Sequence, residues 1–218
     1  MDSTRIVLVR HGQAIAGVNR IVGGHKGCTG LSDLGREQAQ ALAARLGRTG
    51  ELADATALMS STLPRAFETA AILAPALGGL VVDTDPGLCE LEPGDADGLT
   101  WEEMEHRFGL ADFPAEPFRP LAPGGESWAS FGVRVGATLH RVAAGHLGGT
   151  VVCACHGGVI EQSVLHGLGL PAQFPPGHRL GEVPNTSITE WRVRLEPGRP
   201  QHWQLIRYAD AGHLQPGS

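Results

Sequence analysis

Short apolar runs alternate with longer amphipathic stretches along this chain, and the alternation predicts its elements. Residues 6–9 (IVLV) form an uninterrupted apolar run, which suits a strand covered on both faces in a parallel sheet. After the loop that follows, Ser32 is suited to cap a helix in which Ala39, Leu42, Ala43 and Leu46 recur at helical spacing. A short strand, TALM at 56–59, leads into SSTLPRAFETAAILAPAL. There Ser61 or Thr62 suits the cap and Pro64 the first turn, and Leu63, Ala66, Phe67, Ala70, Leu73, Ala74 and Leu77 make one apolar stripe. Arg65 lies off that stripe. LVVD at 80–83 reads as a strand, and Trp128, Phe131, Val135, Leu139 and Val142 mark one face of a long helix. TVVCAC at 150–155 is again a buried strand, followed by a helix at about 159–168. From Ser187 the sequence SITEWRVRLEPGRPQHWQLIRY alternates in polarity around a Pro-Gly turn, as an antiparallel hairpin does.

The β-α order predicts an α/β chain: a three-layer α/β/α fold with a mostly parallel central sheet and an antiparallel C-terminal edge hairpin. Between about 85 and 125 the chain is rich in Pro, Gly and acid, with one short helix opened by the capping box TWEE. Inside a compact domain such a stretch reads as a lid-like insertion. With 218 residues and 42% hydrophobic side chains, residues 1–218 are expected to form a single domain ending in a tail from about 210 to 218.

Charge narrows the partners. A formal net charge of -6 disfavours nucleic acid and anionic membranes, which call for a basic surface. The excess is local, with ten Asp or Glu against two Arg between Glu90 and Glu126. Lys26 is the one lysine among 17 basic residues, a bias that GC-rich genomes produce. The N-terminus carries no signal-peptide pattern and no apolar run is long enough to span a bilayer, so a cytoplasmic location is expected. Cys28, Cys89, Cys153 and Cys155 form no C-x-x-C pair and read as buried thiols. His25, Lys26 and Cys28 lack the further ligands a zinc site needs, so no metal or cofactor is expected. The terminal hairpin offers a pairing edge, which makes a homodimer a candidate assembly.

The chemistry is expected where both apolar strands end, because each runs into His-Gly: RHG at 10–12 and CHGG at 155–158. Ligands of open α/β sheets sit at the carboxyl ends of strands, and glycine lets a ligand approach the backbone. If the two strands are neighbours, about 4.8 Å apart, His11 and His156 would flank an object the size of a phosphoryl group. Arg10 and Arg65 would supply forks matching its oxygens, and the helix after Gly157 would add N–H groups. A histidine alone at a strand end is more often structural; two with arginine partners point to a site. A dinucleotide enzyme is disfavoured because no G-x-G-x-x-G follows the first strand.

These residues resemble the histidine phosphatase superfamily, with its phosphoglycerate mutase-like fold. LVRHG, SSTLPRAFETA, LCELEPGDADGLTWEE, PGGES, CHGGVI and VPNTSITEW are similar to its segments in the same order over nearly the whole chain. The resemblance implies that His11 is a nucleophile forming a phosphohistidine, that Arg10, Arg65 and His156 bind the phosphoryl oxygens, and that Glu90 protonates the leaving oxygen. Asn19, Gly24, His25, Lys26 and Gly157 are candidate phosphate or substrate contacts, a solvated loop being the alternative for His25 and Lys26. Glu92 is the nearest substitute for Glu90. The chain departs from the familiar GDWEG form of the acid loop at Pro93, Ala96 and Asp97, and has Gly158 where mutases carry Asn. Only Arg107 and Arg119 could hold a substrate carboxylate between 100 and 125. These departures favour a phosphatase over a phosphoglycerate mutase, acting without a metal. Acidic residues around the entrance disfavour highly charged substrates and point to a small phosphomonoester such as a sugar phosphate, a nucleoside monophosphate or a specialised-metabolite intermediate. A phosphoglycerate-mutase-type transferase and a non-catalytic phosphate-binding regulator are the alternatives.

Overall fold

A computed structural model describes residues 3–113, 115–171, 180–195 and 201–214. Its sheet has six strands in the order β3-β2-β4-β1-β5-β6. They are β1 (Ser3–Arg10), β2 (Ala55–Ser60), β3 (Val82–Thr84), β4 (Thr150–Cys155), β5 (Ile188–Arg194) and β6 (His202–Asp210). The helices are α1 (Ile15–Val18), α2 (Asp33–Thr49), α3 (Pro64–Leu73), α4 (Trp101–Phe108), α5 (Trp128–Gly145) and α6 (Gly157–Gly167). β1, β2, β3 and β4 are parallel, whereas β5 runs antiparallel to β1 and β6 antiparallel to β5. The expected Pro-Gly turn between β5 and β6 lies outside the described residues.

The two faces of each central strand feed different cores. Ile6, Leu8, Val151, Cys153 and Trp191 pack with Phe131, Val135 and Leu139 of α5 and Ile160 of α6. Val7, Val9, Leu58, Val152 and Ala154 pack with Leu42 and Leu46 of α2 and Ala70 and Leu73 of α3. The unbroken apolar runs thus reflect strands sandwiched between helices, giving the expected three layers. No helix among the described residues is long and apolar enough to cross a membrane.

Several local expectations are corrected. Phe67, assigned to the apolar stripe of α3, is 44% exposed, while Arg65, placed off it, is 6% exposed. Leu63, Ala66, Ala70, Leu73 and Leu77 of the stripe are buried as expected, and Arg65 joins them because it turns inward to His11 and the Gly23 carbonyl. Neither Ser61 nor Thr62 caps α3; Leu63 holds that position without a side-chain bond, and both hydroxyls are engaged elsewhere. β3 is shorter and later than 80–83, because it pairs at the sheet edge only with Leu58–Ser60 of β2. Gly157 already belongs to α6.

Gly12 also serves a purpose other than ligand access. A Cβ there would run into the Gly35 carbonyl of α2. The glycine thus lets α2 press against the turn that follows β1.

Candidate active site

β1 and β4 are direct parallel neighbours, with Arg10 opposite Cys155. The next residue on each strand is therefore a histidine, and the His11 and His156 rings lie 5.0 Å apart between centroids, tilted by 59°. His11 is 8% exposed and His156 fully buried. Arg65 reaches over from the first turn of α3, its Nε donating to His11 Nε2 at 3.1 Å and its NH1 to the Gly23 carbonyl at 2.6 Å. Arg10 donates from NH1 to the Val183 carbonyl. Four of the proposed groups thus converge at the carboxyl edge of the sheet.

The hydrogen bonds around His11 settle which nitrogen is free to react. Its Nδ1 lies 2.6 Å from the Gly12 carbonyl, an acceptor only, so Nδ1 carries the proton. Nε2 then holds a lone pair, on which the Arg65 N–H sits. Asn185 Nδ2 donates to the His11 carbonyl at 2.8 Å, and Gly12 N–H donates to Thr69 Oγ1 at 3.1 Å, which fixes the turn from both sides. Burial, then the Arg65 guanidinium, hold the His11 imidazole well below its usual value, outweighing the Gly12 bond that raises it. Burial, then Arg65, His11 and Arg10, do likewise for His156.

Two neutral buried rings have a consequence for stability. The unfolded chain protonates its histidines near pH 6.5, whereas the folded chain resists. A group with a depressed folded value contributes stability above its unfolded pKa and loses it as pH falls. Thermal stability is therefore expected to drop on acidification from pH 6.5, by about 1.4 kcal/mol per pH unit for each ring. Melting curves between pH 7.5 and 5 check this, and a flat profile would contradict it.

Glu90 follows Cys89 on the acid loop, and its Oε2 accepts from Gly158 N–H at 3.1 Å. This contact joins the loop to the start of α6, and it explains the glycine at 158. A Cβ on Gly158 would collide with Glu90 Oε1 and lie 2.9 Å from the Phe131 ring. Gly158→Ala is expected to displace Glu90 and lower kcat about 10²-fold, the smaller end of a general-acid contribution, with little change in the affinity for inorganic phosphate. Steady-state kinetics with phosphate inhibition measures both quantities.

Arg134 on α5 sets the course of the acid loop. It donates to the carbonyls of Gly87 and Cys89 at 3.0 Å and of Glu90 at 3.1 Å, while Glu126 accepts its Nε and NH2 at 2.8 and 2.6 Å. Sequence reading missed this residue; its signal was an arginine flanked by Phe131 and Val135 on an otherwise apolar face. It also missed Ser61 as a partner of His156, their Oγ and Nε2 being 2.8 Å apart.

The remaining candidates divide. Gly157 lies beside Arg10, a Cβ there being 3.7 Å from Arg10 Nε. His25 is exposed and contacts Thr62 Oγ1 through Nε2 at 3.1 Å. Lys26 is exposed, its backbone N–H donating to Asp97 Oδ2 at 2.8 Å. Gly24 packs against the Asp97 carboxylate, which also accepts from Gly27 N–H at 2.9 Å. Asp97 is thus the strut of the 23–27 loop, and Ala96 sits in a small core with Val22, Met104 and Ala122. Asn19 is exposed at the end of α1, and no hydrogen bond among the described residues ties it to the histidine pair. Arg119 is occupied with the Phe108 and Leu110 carbonyls and Glu116. Among the described residues no group of three or more His, Cys, Asp or Glu is placed to hold a metal.

Comparison with known proteins gives the family. The family model of the histidine phosphatase superfamily (branch 1) matches residues 6–209. The chain is 33% identical to phosphoglycerate mutase-like protein 4 of Arabidopsis thaliana, covering 99% of this chain and 89% of that one. It is 30% identical to the metal-independent phosphoserine phosphatase of the same plant, covering 98% and 84%. A mycobacterial glucosyl-3-phosphoglycerate phosphatase solved with inorganic phosphate superposes with a TM-score of 0.75 at 30% identity, covering 97% and 99%. The chain belongs to the histidine phosphatase superfamily, branch 1.

Proposed function

We propose that the protein hydrolyses small phosphomonoesters through a phosphohistidine at His11, with no metal ion in the step. The observation that carries this reading is the state of His11. Its Nδ1 proton is committed to the Gly12 carbonyl, its Nε2 lone pair lies under Arg65, and the ring is held neutral. A nucleophilic imidazole needs these features.

The electron and proton steps follow from the side chains present. The Nε2 lone pair forms the N–P bond as the ester O–P bond breaks, and the Glu90 carboxyl gives its proton to the departing alkoxide. Arg10 and Arg65 neutralise charge on the phosphoryl oxygens, a role their planar forks suit. Arg65 exchanges its bond to Nε2 for one to a phosphoryl oxygen as attack proceeds. In the second half, water gives a proton to the Glu90 carboxylate while its oxygen attacks phosphorus, and the electron pair of the N–P bond returns to Nε2.

Hydrolysis rather than return of the phosphoryl group to a second hydroxyl is supported by the residues that depart from the mutase pattern. Arg119 is spent on its own loop, and Asp97 and Ala96 serve loop structure and packing. The related phosphatases are named for phosphoserine and glucosyl-3-phosphoglycerate; these two, with sugar phosphates and nucleoside monophosphates, make the first substrate panel. Release of inorganic phosphate without a bisphosphate primer supports the reading, and transfer that depends on such a primer rejects it.

The role of Glu90 has its own test. Glu90→Gln is expected to lower hydrolysis of alkyl phosphates by about 10²- to 10⁴-fold. Hydrolysis of p-nitrophenyl phosphate, whose leaving group needs little protonation, should fall far less. Equal losses on both substrates would remove Glu90 from the role of acid.

A further inference from the structure

The ring of His156 is held by a chain of small polar groups that no step above uses. His156 Nε2 lies 2.8 Å from Ser61 Oγ, the Ser61 hydroxyl donates to Cys89 Sγ at 3.3 Å, and Cys89 Sγ lies 3.1 Å from Thr62 Oγ1. Thr62 Oγ1 in turn meets exposed His25 at 3.1 Å. Ser61 is the branching point, since its Oγ also accepts from Leu63 N–H at 3.1 Å. A serine hydroxyl has one proton and two lone pairs. With the proton on Cys89 and one lone pair on Leu63 N–H, the remaining lone pair faces His156 Nε2. That nitrogen must then bring a proton, which leaves Nδ1 of the same ring bare. His156 Nδ1 is buried and has no hydrogen-bond partner among the described residues.

We propose that Cys89 is a positioning residue. By accepting the Ser61 proton it turns Ser61 into an acceptor and fixes His156 as the Nε2–H tautomer, with a bare Nδ1 for the phosphoryl group. The proposal rests on the reading that His156 contacts that group. A bare ring nitrogen and a fully ionised phosphoryl oxygen repel each other, so the complex holds one proton between them. It enters on a phosphoryl oxygen or from water onto Nδ1. The charged and titratable groups facing His156 are Arg10 at the end of β1 and His11 just after it, Arg65 from α3, Arg134 from α5, and Glu90 through Gly158. Only Glu90 among them is acidic, and Gly158 N–H and Leu91 N–H already engage its two oxygens.

Nitrogen-15 NMR of histidine-labelled protein, with His156 assigned from its loss in His156→Gln, reads the tautomer directly. The expected result is Nε2–H in the free wild-type protein and in Cys89→Ser, which keeps an acceptor for Ser61. In Cys89→Ala the Ser61 proton should turn to His156 and the ring should switch to Nδ1–H; a role in packing alone would not move the tautomer. An Nδ1–H ring in the wild-type protein, or an unchanged one in Cys89→Ala, overturns the proposal. If Cys89→Ala does not fold, the wild-type spectrum decides.

Calorimetry of phosphate binding at pH 8 in two buffers of different ionisation heat reads the second consequence. The wild-type protein should take up more protons per phosphate than Cys89→Ala, and equal uptake counts against the coupling. The two readings fail separately, since loss of all phosphatase activity leaves the tautomer of the free protein measurable.

Discussion

His11→Ala is expected to abolish turnover, by about 10⁵- to 10⁶-fold, the scale on which covalent enzymes lose activity when their nucleophile is removed. The variant should also accumulate no covalent phosphate. Affinity for inorganic phosphate should suffer much less, because Arg10, Arg65 and His156 are carried on other backbone positions and keep their own anchors: the Val183 carbonyl, the Gly23 carbonyl and Ser61. The split between kcat and phosphate binding is the informative part. A side chain that merely filled the site would change both together. Rapid-quench kinetics and phosphate inhibition, measured on the same preparation, distinguish the two cases.

Arg65→Ala is expected to lower kcat by about 10³- to 10⁵-fold, the range for an arginine that stabilises a transferring phosphoryl group. Arg65→Lys should recover only part of that. One guanidinium holds His11 Nε2 through Nε and the Gly23 carbonyl through NH1 at once, a fork that an ammonium does not reproduce. A second effect has a fixed sign. After burial, Arg65 is the largest influence keeping the His11 imidazole below its usual value. Without it that value rises, protonated His11 becomes significant at higher pH, and the acid limb of the kcat/KM profile moves toward neutrality. In the wild-type enzyme the same limb should not coincide with the ordinary histidine value near 6.5. A profile that Arg65→Ala leaves in place would show that the guanidinium does not act on His11.

How far the site could be read from the chain depends on the range of the interactions involved. The apolar runs before Arg10 and His156 announced two buried strands because burial on both faces leaves no polar positions. Their adjacency, Arg10 against Cys155, placed both histidines together. Arg65 was visible as an arginine in a helical first turn, yet the helical stripe misassigned its environment. The stripe of α3 is otherwise buried as read, but Arg65 is drawn inward by His11 and the Gly23 carbonyl, partners that periodicity does not reveal, while Phe67 is left exposed. Ser61 and Thr62 looked like caps because local side-chain bonds are the commonest use of hydroxyls before a helix. Ser61 keeps only a local bond from Leu63 N–H, ahead of the helix, and the contacts that define both hydroxyls are with residues 95 and 27 positions away. Arg134 holds a loop more than forty residues earlier in the chain, and periodicity carries no information about such a bond. The departures at Ala96, Asp97 and Gly158 were legible as differences; their causes, a strut, a small core and the close approach of Glu90, required the third dimension.

Hydrolysis by this route requires a covalent phosphate on His11 Nε2. Its most direct test is to mix the enzyme with p-nitrophenyl phosphate, quench in alkali during turnover, and map the phosphorylated peptide. Phosphate is expected on the peptide bearing His11, stable to alkali and lost in acid, and absent from His11→Ala. Phosphate on another residue, or rapid turnover in His11→Ala, would contradict it.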